Sequence, residues 1–150
     1  MTGQLTENQI NTILISSVSG RLGCCAEGKP YVVPIGYAYH QSYIYSHTRE
    51  GLKVEMMREN PNVCFEVDQV DNLANWRSVI VHGSFEELTG EAAEEAMHIL
   101  RSRLAPLQNS VYSLFLWDVQ SKRLASQPRA AEVMFRIRIS EKTGRFEKSE

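Results

Sequence analysis

The chain has 150 residues, 43% of them apolar and 23% charged, and a formal net charge of −2. That length suits one domain with a buried core, residues 1–150, rather than two, and the slightly acidic balance excludes a general nucleic-acid binder, which needs a basic face. No apolar run approaches the roughly 20 residues of a membrane span, and no basic region precedes an apolar stretch at the N-terminus, so the expected location is cytoplasmic.

The stretch "LTENQINTILISSV" reads as an N-terminal helix, with Thr6 and Gln9 at capping-box spacing. Ile10, Ile13, Leu14 and Val18 fall on one helical face, and Gly20 is the expected stop. Next come "RLGCCA", a turn at "EGKP" and "YVVPIGYAY", whose β-branched and aromatic content predicts a hairpin. "HQS" turns into a further strand, "YIYSH". A short helix over 50–60 ends at Pro61, "NVCFEVD" is strand, and "QVDNLAN" reads as a polar link. "WRSVIVHGSFEEL" is a long strand, and "TGEAAEEAMHILRSRLAP" a helix with Ala93, Ala96, Met97, Leu100 and Leu104 as its buried stripe. "SVYSLFLWDV" reads as strand and 120–130 as a long exposed loop. "EVMFRIRIS" alternates as a strand, and "EKTGRFE" reads as a final turn with a short last strand. Six or more strands, mostly joined as hairpins, with three helices, predict a mainly β (α+β) antiparallel sheet curled into a barrel rather than a doubly wound nucleotide fold.

Three stretches could carry chemistry. In "YVVPIGYAY", Pro34 cannot donate to a ladder, and Gly36 marks either close approach of a flat ligand or a β-bulge. In "YSHTREGLK", Ser46 and Thr48 offer hydroxyls, Gly51 an accessible backbone, and Arg49 and Lys53 positive charge at a helix start. Lys53 opposes the helix dipole at a cost of roughly 0.3–1 kcal/mol, which a bound anion would reverse. The alternative is that Thr48 caps the helix and the cations are solvated. In "WRSVIVHG", Arg77 can fork onto a phosphate or stand as an exposed strand-end cation. The four histidines and three cysteines (Cys24, Cys25, Cys64) show no CxxC, HxxxH or HExxH spacing, so no metal site is expected and the thiols read as reduced.

In series, "GRLGCCAEGKPYVVPIGYAY", "IYSHTREGLKVEMMRENPNVCFEVD" and "WRSVIVHGSFEEL" resemble the pyridoxamine 5′-phosphate oxidase-like flavoproteins, and within them the nitroimidazole-resistance, nitroreductase-like branch. The resemblance implies a six-stranded Greek-key split β-barrel with flanking helices. It also implies a homodimer with FMN at its interface (FAD or a deazaflavin being alternatives) and NAD(P)H as electron donor to a small nitro-aromatic or quinone-like substrate. Carried over by position, the main chain at Pro34, Ile35, Gly36 and Tyr37 runs beside the flavin ring. Ser46, His47 and Thr48 lie near the ring edge, Gly51 and Lys53 hold the phosphate, and Arg77 and Ser78 form a polar pair with Ser78 facing the flavin. His47 is the candidate catalytic residue. Two departures are visible. "FRIRISEKTGRFEKSE" has no counterpart of the C-terminal segment that binds pyridoxal phosphate in vitamin B6 oxidases, and Trp76 stands where relatives often carry tyrosine. Competing expectations are a non-catalytic flavin-binding or storage protein and a haem-binding or haem-degrading split barrel, since fold alone does not choose among them.

Overall fold

A computed structural model describes residues 1–104 and 132–150. The expected strand at 110–119, the loop at 120–130 and Trp117 lie outside the described residues. The element order is β1 (Thr2–Gln4), α1 (Glu7–Ser16), β2 (Ser19–Ala26), β3 (Lys29–Gly36), β4 (Ala38–His40), β5 (Tyr43–Arg49), α2 (Leu52–Glu59), β6 (Asn62–Asn72), β7 (Asn75–Leu88), α3 (Gly90–Leu104) and β8 (Glu132–Glu147). The strands form one antiparallel sheet in the order β3-β2-β6-β7-β8-β5-β4, with β1 added to the far end of β8. No ladder joins β3 to β5. Instead, the buried Ser46 hydroxyl on β5 donates to the Gly36 carbonyl on β3 at 2.7 Å and bridges the split.

Local chemistry explains most of these elements. Thr6 and Gln9 close the expected capping box, Gln9 N–H donating to Thr6 Oγ1 at 3.2 Å and Thr6 N–H to Gln9 Oε1 at 2.8 Å. The helix buries Ile10, Ile13 and Leu14 in the barrel core with Leu22, Tyr37, Phe65, Phe135 and Ile137; each large apolar side chain contributes about 1.5–3 kcal/mol. Helix α1 stops at Ser16, before Val18 and Gly20, because the Val18 carbonyl accepts the Tyr37 N–H at 3.0 Å. The β2–β3 hairpin turns at Glu27 and Gly28, with φ of 53° and 76°, and β4–β5 turns at Gln41 and Ser42, with φ of 49° and 68°. Two positive φ values match the twist of a tight hairpin.

The sheet holds eight strands among the described residues, in keeping with the six or more read from the pattern and two beyond the six that the resemblance implied. Tyr37 splits "YVVPIGYAY" into β3 and β4. The "polar link" is strand almost to its end, since β6 stays paired with β7 as far as Asn72↔Asn75. "EKTGRFE" is no turn, because β7 carries β8 straight on through Phe146. Pairing of β2 with β3 is unbroken through Pro34 and Gly36, and the register shifts sit elsewhere, at Val70/Asn72 and His82/Gly83. In α3, Ala96 and Leu100 are the buried pair, backed by Ala93 and Met97. No helix among the described residues is long and apolar enough to cross a membrane.

Candidate functional site

The split end of the barrel gathers most of the residues singled out by sequence. Among the described residues β3 ends the sheet, so along one side its backbone groups find no ladder partner there, which is the edge a flat ring can hydrogen-bond. Pro34 and Gly36 are exposed on it, whereas Ile35 points into the core. A Cβ added at Gly36 would meet only the Val18 carbonyl, at 3.7 Å. Packing among the described residues therefore does not demand glycine there, and they leave the space open to a ligand. Tyr37 is fully buried: its hydroxyl donates to the Leu14 carbonyl at 2.7 Å and its ring meets Phe65 edge-on at 4.7 Å. Burial pushes its phenol well above the ordinary range.

Strand alternation then divides "YSHTR". Ser46 and Thr48 share the core-facing side of β5 with Ile44, while His47 and Arg49 share the side of Tyr45, which packs with α3. The His47 side chain is 9% exposed, and its Nε2 lies 2.5 Å from a Glu132 carboxylate oxygen on β8.

The start of α2 differs from expectation in a useful way. Thr48 does not cap it. Pairing with β8 extends β5 as far as Arg49↔Glu132, and the cap position falls to Gly51, which makes no side-chain cap bond. The first intrahelical bond runs from Glu55 N–H to the Gly51 carbonyl, leaving the opening N–H groups of Leu52, Lys53 and Val54 outside the helical ladder. Gly51 is extended, and a Cβ there would meet nothing closer than the Arg49 carbonyl at 4.0 Å. Lys53 is half-buried and has no carboxylate partner among the described residues. Burial lowers its pKa below the ordinary 10.5, partly opposed by the nearby Cys24 thiol. Arg49 is not simply solvated, as its Nη2 is buried without a hydrogen-bond partner. Among the described residues, Arg49 and Lys53 thus stand on either side of an uncapped helix start without a carboxylate partner, and this fits a phosphate. Burial and the neighbouring Cys25 and Cys64 raise the Cys24 thiol, and all three cysteines are free.

Arg77 and Ser78 lie apart from this wall. Ser78 is on the outer sheet face, donating to Glu66 at 3.2 Å. That places it three strands from β3, about 14 Å at the usual strand spacing. Arg77 has the opposite parity and opens into a cleft of about 490 Å³ beside Trp76 and Phe146, where Trp76 Nε1 donates to Glu147 at 3.0 Å. The sequence reasoning passed over Arg58 and Glu132; only pairing between distant segments reveals them.

Fold and site together define a flavoprotein-type split barrel, and comparison agrees. The pyridoxamine 5′-phosphate oxidase family model matches residues 6–146, and the chain belongs to that family. It is 31% identical over 84 residues to an uncharacterised protein of Rhizobium meliloti, with 56% of each chain covered, so it spans about half the length of that curated relative. A FAD-binding protein of Mesorhizobium loti superposes with a TM-score of 0.73 at 31% identity, covering 99% of both chains. A Bacteroides thetaiotaomicron protein put forward as a 5-nitroimidazole antibiotic resistance protein superposes at TM-score 0.70. Its identity is 19%, over 97% of this chain and 87% of that one, a likeness of fold.

Proposed function

We propose that the protein binds a flavin mononucleotide unit, free as FMN or within FAD, and serves as a flavin-dependent oxidoreductase of small nitro-aromatic or quinone-like compounds with NAD(P)H as donor. The observation that carries the reading is the uncapped start of α2, where, among the described residues, Lys53 has no carboxylate partner and Arg49 Nη2 no hydrogen-bond partner. Lys53 and the opening N–H groups of α2 hold the phosphate, with Arg49 as a second positive charge. The main chain of 34–37 lies along the ring, Thr48 beside the ribityl chain. Ser46 contributes by fixing Gly36 to β5 rather than by touching the ligand, because its proton is already donated. The bound flavin supplies hydride acceptance and onward electron transfer. His47, held by Glu132, acts as a positioning residue behind the wall.

The outer sheet face supports a homodimer. Val32 and Ile80 are 66% and 41% exposed there, on either side of the Arg21–Glu66 and Arg21–Asp68 ion pairs, a mixed apolar and charged face suited to contact between copies. In such a dimer, related by a two-fold axis, Ser78, which lies apart from the wall within one chain, would serve the flavin of the other copy. Haem binding is the weaker reading: His47 Nε2 is already bonded to Glu132, and His47, His82 and His98 lie on three separate elements.

The test is a spectrum of purified protein followed by anaerobic addition of reduced nicotinamide and then a nitroimidazole. Flavin bands, their bleaching and loss of the nitro absorbance are the expected sequence. A Soret band without flavin overturns the reading; flavin that never bleaches leaves a binding protein.

A further inference from the structure

Arg58, in the last turn of α2, holds two carboxylates at once. Its Nη1 and Nη2 fork onto Glu50 at 2.9 and 2.7 Å, and its Nε and Nη2 fork onto Glu87 of β7 at 2.7 and 3.0 Å. All three side chains are partly exposed, where an isolated ion pair adds little stability. The position of Glu50 gives the arrangement another meaning. Glu50 stands between Arg49 and Gly51, three residues before Lys53. It adjoins Arg49 in sequence, yet both its oxygens are turned back onto Arg58. Without that fork, Glu50 is free to neutralise Arg49 or Lys53 and to repel an incoming anion. The Arg58 guanidinium is pushed above its ordinary range by these bonds, and Glu87 is held below the usual carboxylate range by its bond to Arg58, so both stay charged near neutrality.

We infer that Arg58 is a positioning residue that sequesters Glu50, with Glu87 anchoring the guanidinium to the barrel, and thereby keeps the α2 start positive for a phosphate-bearing flavin. The inference rests on the flavin reading above.

The experiment titrates FMN and riboflavin, which lacks the phosphate, into wild type, Arg58→Gln, Glu50→Gln and the double variant. Arg58→Gln should weaken FMN roughly tenfold, the scale of one charge brought near an anion at a half-exposed site, and leave riboflavin unchanged. Adding Glu50→Gln to it should restore FMN affinity to within about twofold, a rescue that a purely structural role for Arg58 does not give. Glu50→Gln alone, which keeps the tie to Glu87, should bind FMN as well as wild type or better. It decides the matter if Arg58→Gln fails to fold. Equal losses for FMN and riboflavin, failed rescue, or weakened FMN binding by Glu50→Gln alone each overturn the inference. Wild type with no affinity for FMN or FAD overturns the flavin reading and this inference with it, and that result is distinct from a flavin-binding wild type indifferent to Arg58.

Discussion

Replacing Lys53 with methionine separates a binding role from a folding one. The stem of Lys53 is half-buried against the start of α2, and methionine keeps that apolar contact while deleting the charge. No carboxylate among the described residues pairs with the ammonium, and burial already disfavours its charged form. The unliganded variant should therefore unfold at or slightly above the wild-type temperature. Binding should move the other way. A charge-assisted hydrogen bond contributes about 1.5–3 kcal/mol, which converts to a roughly 10- to 150-fold loss of FMN affinity. Riboflavin affinity should not change, since the phosphate alone meets Lys53. Fluorescence quenching titrations with the two flavins, beside a thermal melt of the free protein, give the three numbers. Unchanged FMN affinity, or FMN and riboflavin falling together, refutes the phosphate assignment; a large drop in melting temperature refutes the claim that Lys53 is there for a ligand.

The same lowered pKa makes a pH prediction. Between Lys53's depressed value and 10.5 the unfolded chain holds the extra proton, so raising pH through that window removes a penalty from the free fold. It also removes the ammonium a phosphate needs, so FMN affinity should fall through that alkaline window while riboflavin affinity stays level in parallel titrations. Gly83→Ala puts a methyl group 2.4 Å from the Arg138 carbonyl oxygen and 2.6 Å from Ile137 Cγ2 at the β7–β8 bulge. Overpacking of this kind costs about 1–3 kcal/mol or more, and because the nearest atom is backbone, the upper end is expected in urea unfolding. Ser46→Ala removes the 2.7 Å tie to Gly36 and leaves that carbonyl without its partner. A loss of about 1–3 kcal/mol with weaker binding of both flavins is expected, and an effect on FMN alone would place Ser46 at the phosphate instead.

What the sequence made legible is local. Thr6 and Gln9 announced α1 because a capping box is satisfied within four residues. The β2–β3 and β4–β5 turns were likewise written in short stretches, and the 133–139 alternation was visible because one side of β8 is core. The errors share a different cause. Thr48 and Arg49 carry helix-start chemistry, yet Val133 and Glu132 pair with them and hold them in β5. Residues 69–72 are polar enough for a loop but pair with residues 75–77 of β7 and stay extended. Strand β1 exists only because Arg145, Phe146 and Glu147 of β8 lie beside it. None of these partners lies within forty residues except in the β6–β7 hairpin, where the turn at Leu73 and Ala74 carries no glycine to signal it.

The candidate site followed the same rule. Gly36, Gly51 and Lys53 stood out in sequence because each breaks a local preference of strand or helix, and packing supplies no reason for any of the three. Arg58 and Glu50 gave no such signal, since a Glu and an Arg on or beside a short helix satisfy every local preference. Their meaning appears only when both forks of one guanidinium are seen to be filled. A pocket that must stay positive in an acidic chain needs cations, and it also needs its neighbouring carboxylates occupied elsewhere. Here one arginine, eight residues along the chain from Glu50, meets the second requirement.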